Sequence, residues 1–224
     1  MALVALVACG RAPTEPAPEP PLTSAAVVVA KDAGTRRPYA ELVDVGALDP
    51  TLILDLRYAS TDNFTGVTLY SAARCLLRAA IAERLRAVQR RLRARGLGLK
   101  LWDCYRPFSV QHALWKLVPD TRYVARPVER DGVPVYGSRH NRGAAVDLTL
   151  VDRAGRELPM PSAYDDFSER AHRTCGQCTA EQRTNKNLLE DAMLAEGFVP
   201  LKTEWWHFDG PNWGRFPLAD QPIE

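Results

Sequence analysis

The chain has 224 residues, of which 46% are hydrophobic and 25% charged, the composition of an ordinary globular domain and not of a disordered or collagen-like one. Its 29 basic and 27 acidic residues leave a formal charge of +2, so no broad basic field exists to attract nucleic acid. No apolar run reaches the roughly 18–20 residues that cross a bilayer. The cysteines Cys9, Cys75, Cys104, Cys175 and Cys178 are too few for a disulfide-dense scaffold.

Met1 to Ala8 (MALVALVA) is apolar and halts at Cys9. Leu6-Val7-Ala8-Cys9 matches a bacterial lipoprotein box, although no Lys or Arg precedes it as in a secretory signal. Arg11 to Ser24 is rich in proline and without periodicity, which describes an extended tether. Residues 1–9 are thus expected to be a lipoprotein-type signal and 10–37 a tether. Cys9 would carry a lipid anchor, and the protein would be exported, membrane-anchored and face the periplasm or cell exterior. The alternative is a cytoplasmic protein.

From residue 38 on, no repeat and no second linker interrupts the chain, so 38–224 is read as one domain. Leu52 to Tyr58 predicts a strand. Ala73, Leu77, Ile81, Leu85, Val88 and Leu92 recur at three- and four-residue steps, which predicts an amphipathic helix stopped by Gly96 and Gly98. Leu99 to Asp103 alternates as a strand, and Pro107 suits the first turn of a helix carrying Val110, Leu114 and Leu117. Val133 to Tyr136 and Ala145 to Leu150 read as strands around the turn Asn141-Arg142-Gly143. Thr179 and Gln182 have capping-box spacing ahead of a helix through Leu188, Leu189, Ala192 and Ala195, ended by Gly197. Phe198 to Phe208 is the last strand-like stretch. Strands and helices mix without strict alternation, which predicts an α+β fold with a small, mostly antiparallel sheet and flanking helices.

Two of the four histidines stand in unusual company. His140 precedes the glycine turn, and Asp147 lies in the strand after it. In that strand Val146, Leu148 and Leu150 share one face, while Asp147 shares the other with Ala145 and Thr149. His140 and Asp147 therefore make half of a metal site, or a hydrogen-bonded pair holding the turn. Glu204-Trp205-Trp206-His207 supplies a further ligand, His207, and a carboxylate, Glu204, to take a proton from water. Positions three apart face opposite sides of a regular strand, so Glu204 and His207 converge only if the chain bulges or turns there. His112 and His172 read as structural. Cys175-Gly176-Gln177-Cys178 has no second pair for a structural zinc, and reads as a short-loop disulfide or as partners for Cys75 or Cys104.

The chain resembles the D-alanyl-D-alanine dipeptidases of the vancomycin-resistance type, zinc peptidases related to D,D-carboxypeptidases. The pattern Ser-x-His-x-x-Gly-x-Ala-x-Asp is met by Ser138, His140, Gly143, Ala145 and Asp147, and Glu-Trp-Trp-His by Glu204 to His207. Asp55 to Gly66 (DLRYASTDNFTG) and Leu101 to Pro107 (LWDCYRP) match as well. Cys104 departs from the small residue usual before Tyr105, and the export signal departs from those relatives.

The resemblance implies a hedgehog-like zinc peptidase fold and zinc-dependent hydrolysis of D-Ala-D-Ala. One zinc per chain would be held by His140, Asp147 and His207. Glu204 would be the general acid/base, and Arg106 would stabilise the transition state. Asp165, with Asp166 one register away, resembles the group that binds the substrate's amine, and Ser138 is placed to hydrogen-bond the dipeptide. Two other readings remain: a D,D- or L,D-carboxypeptidase acting on peptidoglycan stems, and a non-catalytic cell-wall-binding domain. The second has no need of a base at Glu204 or an oxyanion partner at Arg106.

Overall fold

The computed structural model describes residues 40–224; the apolar leader, Cys9 and the tether lie outside the described residues. Strand β1 (Leu42–Asp44) runs into the single turn α1 (Val45–Leu48), capped by Asp44, whose carboxylate accepts from the backbone N–H groups of Gly46 and Ala47. Strand β2 (Ile53–Leu54) follows, shorter than the strand expected over 52–58. Beyond it the chain tightens into a 3-10 turn at Arg57–Ala59, and the Tyr58 carbonyl accepts from the N–H groups of Leu69 and Tyr70. That turn moves Tyr58 out of the sheet and into a cavity.

The next helix also starts later than its periodicity indicates. Leu76–Arg78 is a strand, β3, paired antiparallel with β1 so that Val43 faces Leu77. Helix α2 occupies Ala79–Arg93. Leu77 is apolar at a helical step from Ile81, but the edge of β1 offers its backbone a ladder. Periodicity alone does not separate the two states. Ile81, Leu85, Val88 and Leu92 are buried along one face of α2, each burial contributing about 1.5–3 kcal/mol.

Strand β4 (Gly98–Asp103) leads into helix α3 (Phe108–Leu117), with Pro107 as its N-cap residue, not its first-turn residue. An exposed hairpin of β5 (Val128–Arg130) and β6 (Val133–Tyr136) precedes a 3-10 turn at Arg139–Arg142 and strand β7 (Ala145–Val151). Helix α4 (Ala180–Leu194) carries the expected capping box of Thr179 and Gln182. The stretch 198–208 is two short strands, β8 (Val199–Pro200) and β9 (His207–Asp209), separated by a turn.

The main sheet has the order β2-β4-β7-β9-β8, with β2 and β4 parallel and the other pairs antiparallel. This is the α+β class expected from the sequence. Helices α2 and α4 pack on the sheet through a core that includes Leu85, Leu99, Leu148, Leu189 and Trp205. Every residue of β7 is buried, so both of its faces are covered and the alternation of apolar and polar faces does not mark a solvent side.

Cys75 and Cys104 form a disulfide joining the start of β3 to the end of β4, and Cys175 pairs with Cys178. The first closes a loop with a sequence separation of 29, which gives about 3–4 kcal/mol through lost unfolded-state entropy. Replacing both Cys75 and Cys104 with alanine is expected to lower the denaturant-derived unfolding free energy by about that amount. A loss under about 1 kcal/mol would show that the bond does not constrain the unfolded chain.

Candidate functional site

Three adjacent strands place Asp103, Asp147 and His207 in one row across the sheet. Asp147 on β7 lies opposite His207 on β9 and opposite Asp103 at the end of β4. The β4 pairing steps from Leu101↔Leu148 to Asp103↔Asp147, so an irregularity at Trp102 brings Asp103 into the row. His140 joins from the 3-10 turn before β7. Gly143 closes that turn at φ 64°, where a Cβ would collide with the Leu42 side chain. A larger residue there would shift the turn that carries His140.

The three expected ligands converge: one donor atom from each of His140, Asp147 and His207 lies within 4.8 Å of the others. His140 Nδ1 donates to the Cys104 carbonyl at 2.6 Å, which leaves the Nε2 lone pair facing inward. His207 Nε2 donates to Asp209 Oδ1 at 2.9 Å, which turns Nδ1 toward Asp147 Oδ1, also at 2.9 Å. Tyr164 donates to the other oxygen, Asp147 Oδ2, at 3.0 Å. Each candidate ligand is thus oriented by an outer partner, the arrangement that fixes the tautomer and aim of metal-binding groups. His140 Nε2 and His207 Nδ1 are 3.1 Å apart and lie 3.4 and 2.9 Å from Asp147 Oδ1, a cluster that stabilises either a shared proton or a cation in its place. The residues fit a tetrahedral-type N,N,O metal site.

The electrostatics carry the same demand. Burial alone would lower the His207 pKa, but its hydrogen bonds to the Asp147 and Asp209 carboxylates raise it to about 10. Burial would raise Asp147, yet His140 and His207 hold it well below the usual carboxylate range. Glu204 is pushed up to about 7 by burial and by Asp147, against the pull of His207, His140 and Arg106. The turn after β8 brings Glu204 Oε2 to 3.9 Å from His207 Nδ1, as convergence of these two residues required.

Arg106 is buried and donates twice to Asp103 Oδ2, from Nε at 3.1 Å and Nη2 at 2.6 Å, and from Nη1 to Gln111 Oε1. Burial opposes its charge, but Asp103 outweighs that and the guanidinium pKa rises above its ordinary value. Tyr70 donates to Asp103 Oδ1 at 2.6 Å. Asp165 accepts from the Tyr58 hydroxyl at 3.0 Å, and burial with the nearby charge of Asp147 holds its carboxyl well above the usual range. Asp166 does not line the cavity, so Asp165 is the member of the acidic pair that faces it. Ser138 also lines the cavity, and its Oγ accepts from His140 N as part of a capping box. A cavity of about 330 Å3 joins these residues: Arg106, Ser138, His140, Asp147, Asp165, Glu204 and His207 all face it.

The sequence reading missed Asp103, Asp209, Tyr58 and Tyr164. Asp209 had a signal, since two residues after His207 in a strand puts it on the same side. Tyr58 lies in the matched stretch Asp55 to Gly66. Asp103 likewise lies in the matched stretch Leu101 to Pro107, though a register irregularity is what brings it into the row, and Tyr164 reaches the site from a loop that leaves no local pattern. His112 stacks edge-on against Phe108 outside the cavity, and His172 does not line it either.

The family model described as D-ala-D-ala dipeptidase, of peptidase family M15, matches residues 39–223. A D-alanyl-D-alanine dipeptidase of Escherichia coli is 40% identical over 186 residues, covering 81% of this chain and 91% of that protein. Proteins of the same name from Enterococcus faecalis and Streptomyces coelicolor are each 34% identical over 168 residues, covering 69% of this chain and 83% of theirs. The chain belongs to the M15 peptidase family, whose members are metal-dependent hydrolases.

Metal loading should displace the proton that His207 holds in the metal-free protein, because its pKa there is about 10. Titration of zinc into metal-free protein at pH 8, in buffers of different ionisation enthalpy, is expected to show release of at least about one proton per ion bound, that of His207 together with any from zinc-bound water. Binding enthalpies independent of the buffer would mean that His207 is already neutral or does not ligate.

Proposed function

We propose that this protein is a zinc-dependent dipeptidase that hydrolyses D-Ala-D-Ala to two D-alanines. The observation that carries the reading is the convergence, in one cavity, of a His140–Asp147–His207 donor set, an adjacent carboxylate at Glu204 and a separate acidic residue at Asp165. When bound, zinc supplies a Lewis acid that lowers the pKa of water from 15.7 towards about 7. His140, Asp147 and His207 would hold the ion.

Glu204 takes the proton of the attacking water and delivers it to the leaving amine. Its pKa of about 7 suits both halves of that transfer near neutral pH. Arg106, fixed by Asp103 and Gln111, presents its guanidinium where charge builds on the former carbonyl oxygen. Asp165 receives the substrate's ammonium. Its raised pKa in the substrate-free site reflects an acid short of a cation, and an ammonium meets that need. The hydroxyl proton of Ser138 has no acceptor among the described residues and is available to the substrate's carboxylate.

Glu204→Gln keeps the shape of the side chain but accepts no proton. Its turnover is expected to fall by at least about 10²-fold with metal content unchanged by elemental analysis. Activity near wild type would place the base elsewhere.

Masking the substrate's amine leaves Asp165 without its cation, so N-acetyl-D-Ala-D-Ala is expected to be cleaved at least about 10²-fold more slowly than the free dipeptide, measured as D-alanine release. Faster release of D-alanine from pentapeptide stems than from the dipeptide would instead make the protein a carboxypeptidase.

A further inference from the structure

The Glu204 carboxylate makes no hydrogen bond to any described residue, and its one cationic contact among them is His207 Nδ1 at 3.9 Å. Its aim is therefore set by the backbone of the turn between β8 and β9. That turn is fastened from behind by one side chain. Arg173 Nε donates to the Leu201 carbonyl at 2.7 Å, and Nη2 donates to the His207 carbonyl at 2.6 Å. These two carbonyls are the two ends of the turn. The third arm of the fork, Nη1, reaches Glu190 Oε2 on α4 at 3.3 Å, and the guanidinium plane lies over Phe208 at 4.2 Å from the ring centroid. The Arg173 N–H also donates to the Lys202 carbonyl, and Trp205 N–H donates to Ala171, so the 171–173 segment runs along the whole turn. A planar five-donor fork can hold two carbonyls at a fixed separation, which a lysine ammonium cannot do.

Resting on the reading of Glu204 as the base, we propose that Arg173 is a positioning residue for the reaction: by clamping Leu201 and His207 from behind the sheet, it sets the distance and direction of the Glu204 carboxylate relative to the metal ligands. It does not line the cavity and touches no substrate. Small displacements of a reacting group are costly in rate even when they leave the fold intact. Removing the fork leaves Glu190 paired with Lys186 Nζ at 3.1 Å, and the His207 carbonyl still accepts from Leu201 N–H at 3.2 Å. Truncation therefore loosens the turn without stranding a buried charge.

The test is Arg173→Ala in the full chain, read as kcat and KM for D-Ala-D-Ala, metal content and folding by circular dichroism. The expected result is a fall in kcat of about 10- to 100-fold with full metal content and KM within about threefold of wild type. Added guanidinium ion, which fits the space vacated, should restore part of kcat in Arg173→Ala and none in Glu204→Gln. A merely structural role would lower the melting temperature and leave kcat and its response to guanidinium unmoved, and that result would overturn the proposal. If Arg173→Ala does not fold, Arg173→Lys gives the same answer: it keeps the charge but reaches one carbonyl, so a wild-type kcat there contradicts the clamp. An active Glu204→Gln enzyme would sink the reading of the base itself. An inactive Glu204→Gln beside a normal Arg173→Ala sinks only the clamp.

Discussion

The rest of the structure depends on negative charge packed behind one row of the sheet. Asp103, Asp147 and Asp209 are buried, and Glu204 and Asp165 close on the same cavity. Carboxylates taken out of water are expensive unless each meets a cation or a set of donors. The chain allots them separately. Arg106 neutralises Asp103, and Tyr70 donates to its other oxygen. Asp209 is turned to His207, with Arg139 Nε 3.6 Å from its other oxygen. Asp147 is left with two imidazoles, and Asp165 with the Tyr58 hydroxyl. Asp165, held neutral by burial and by the nearby charge of Asp147, has only the more distant Arg106 as a cation, whereas Asp147 shares the proton of His207. On the proposed reading, a metal ion would take the place of that proton at Asp147 and a substrate ammonium would meet Asp165.

Strand register is what makes the arrangement rigid. Asp147 sits in a fully buried strand between two partners, so neither it nor its row neighbours can slip without turning a hydrophobic set to the wrong face. The other cavity-lining groups come instead from turns and connections: His140 from a 3-10 turn closed by Gly143, Arg106 from the segment before α3, Glu204 from the β8–β9 turn. Each turn is fastened to the sheet or its neighbours. The contact of Arg106 N–H with the His140 carbonyl ties the first two together, and the Cys75–Cys104 bond anchors the chain just before Arg106 to the start of β3. The site is therefore a stiff row of strand residues, Asp103, Asp147 and His207, approached by pinned loops.

Much of this was legible in the sequence, and the unreadable part has a physical pattern. A period-two strand put Asp147 off the apolar face, and the spacing of Glu204 and His207 demanded a turn that the structure contains. The α+β class followed from the mixing of elements. The periodicity starts helix α2 at Ala73, nearly two turns before its actual start at Ala79, because Ala73 and Leu77 fit helical steps and Leu77 suits a strand equally. Cysteine pairing was open because spacing does not choose among partners, and the fold decides it by bringing the end of β4 against β3. Asp103, Tyr58 and Tyr164 act through contacts between segments distant in sequence. Such contacts are products of tertiary packing and leave no trace in local periodicity.

The central claim is that two imidazoles and one carboxylate, and no thiolate, form the protein's metal donor set. X-ray absorption at the zinc edge of the zinc-loaded protein measures that directly. The account expects two imidazole scattering shells with nitrogen and oxygen donors at about 2.0–2.1 Å and no sulfur. A sulfur shell at about 2.3 Å, or fewer than two imidazoles, would contradict it.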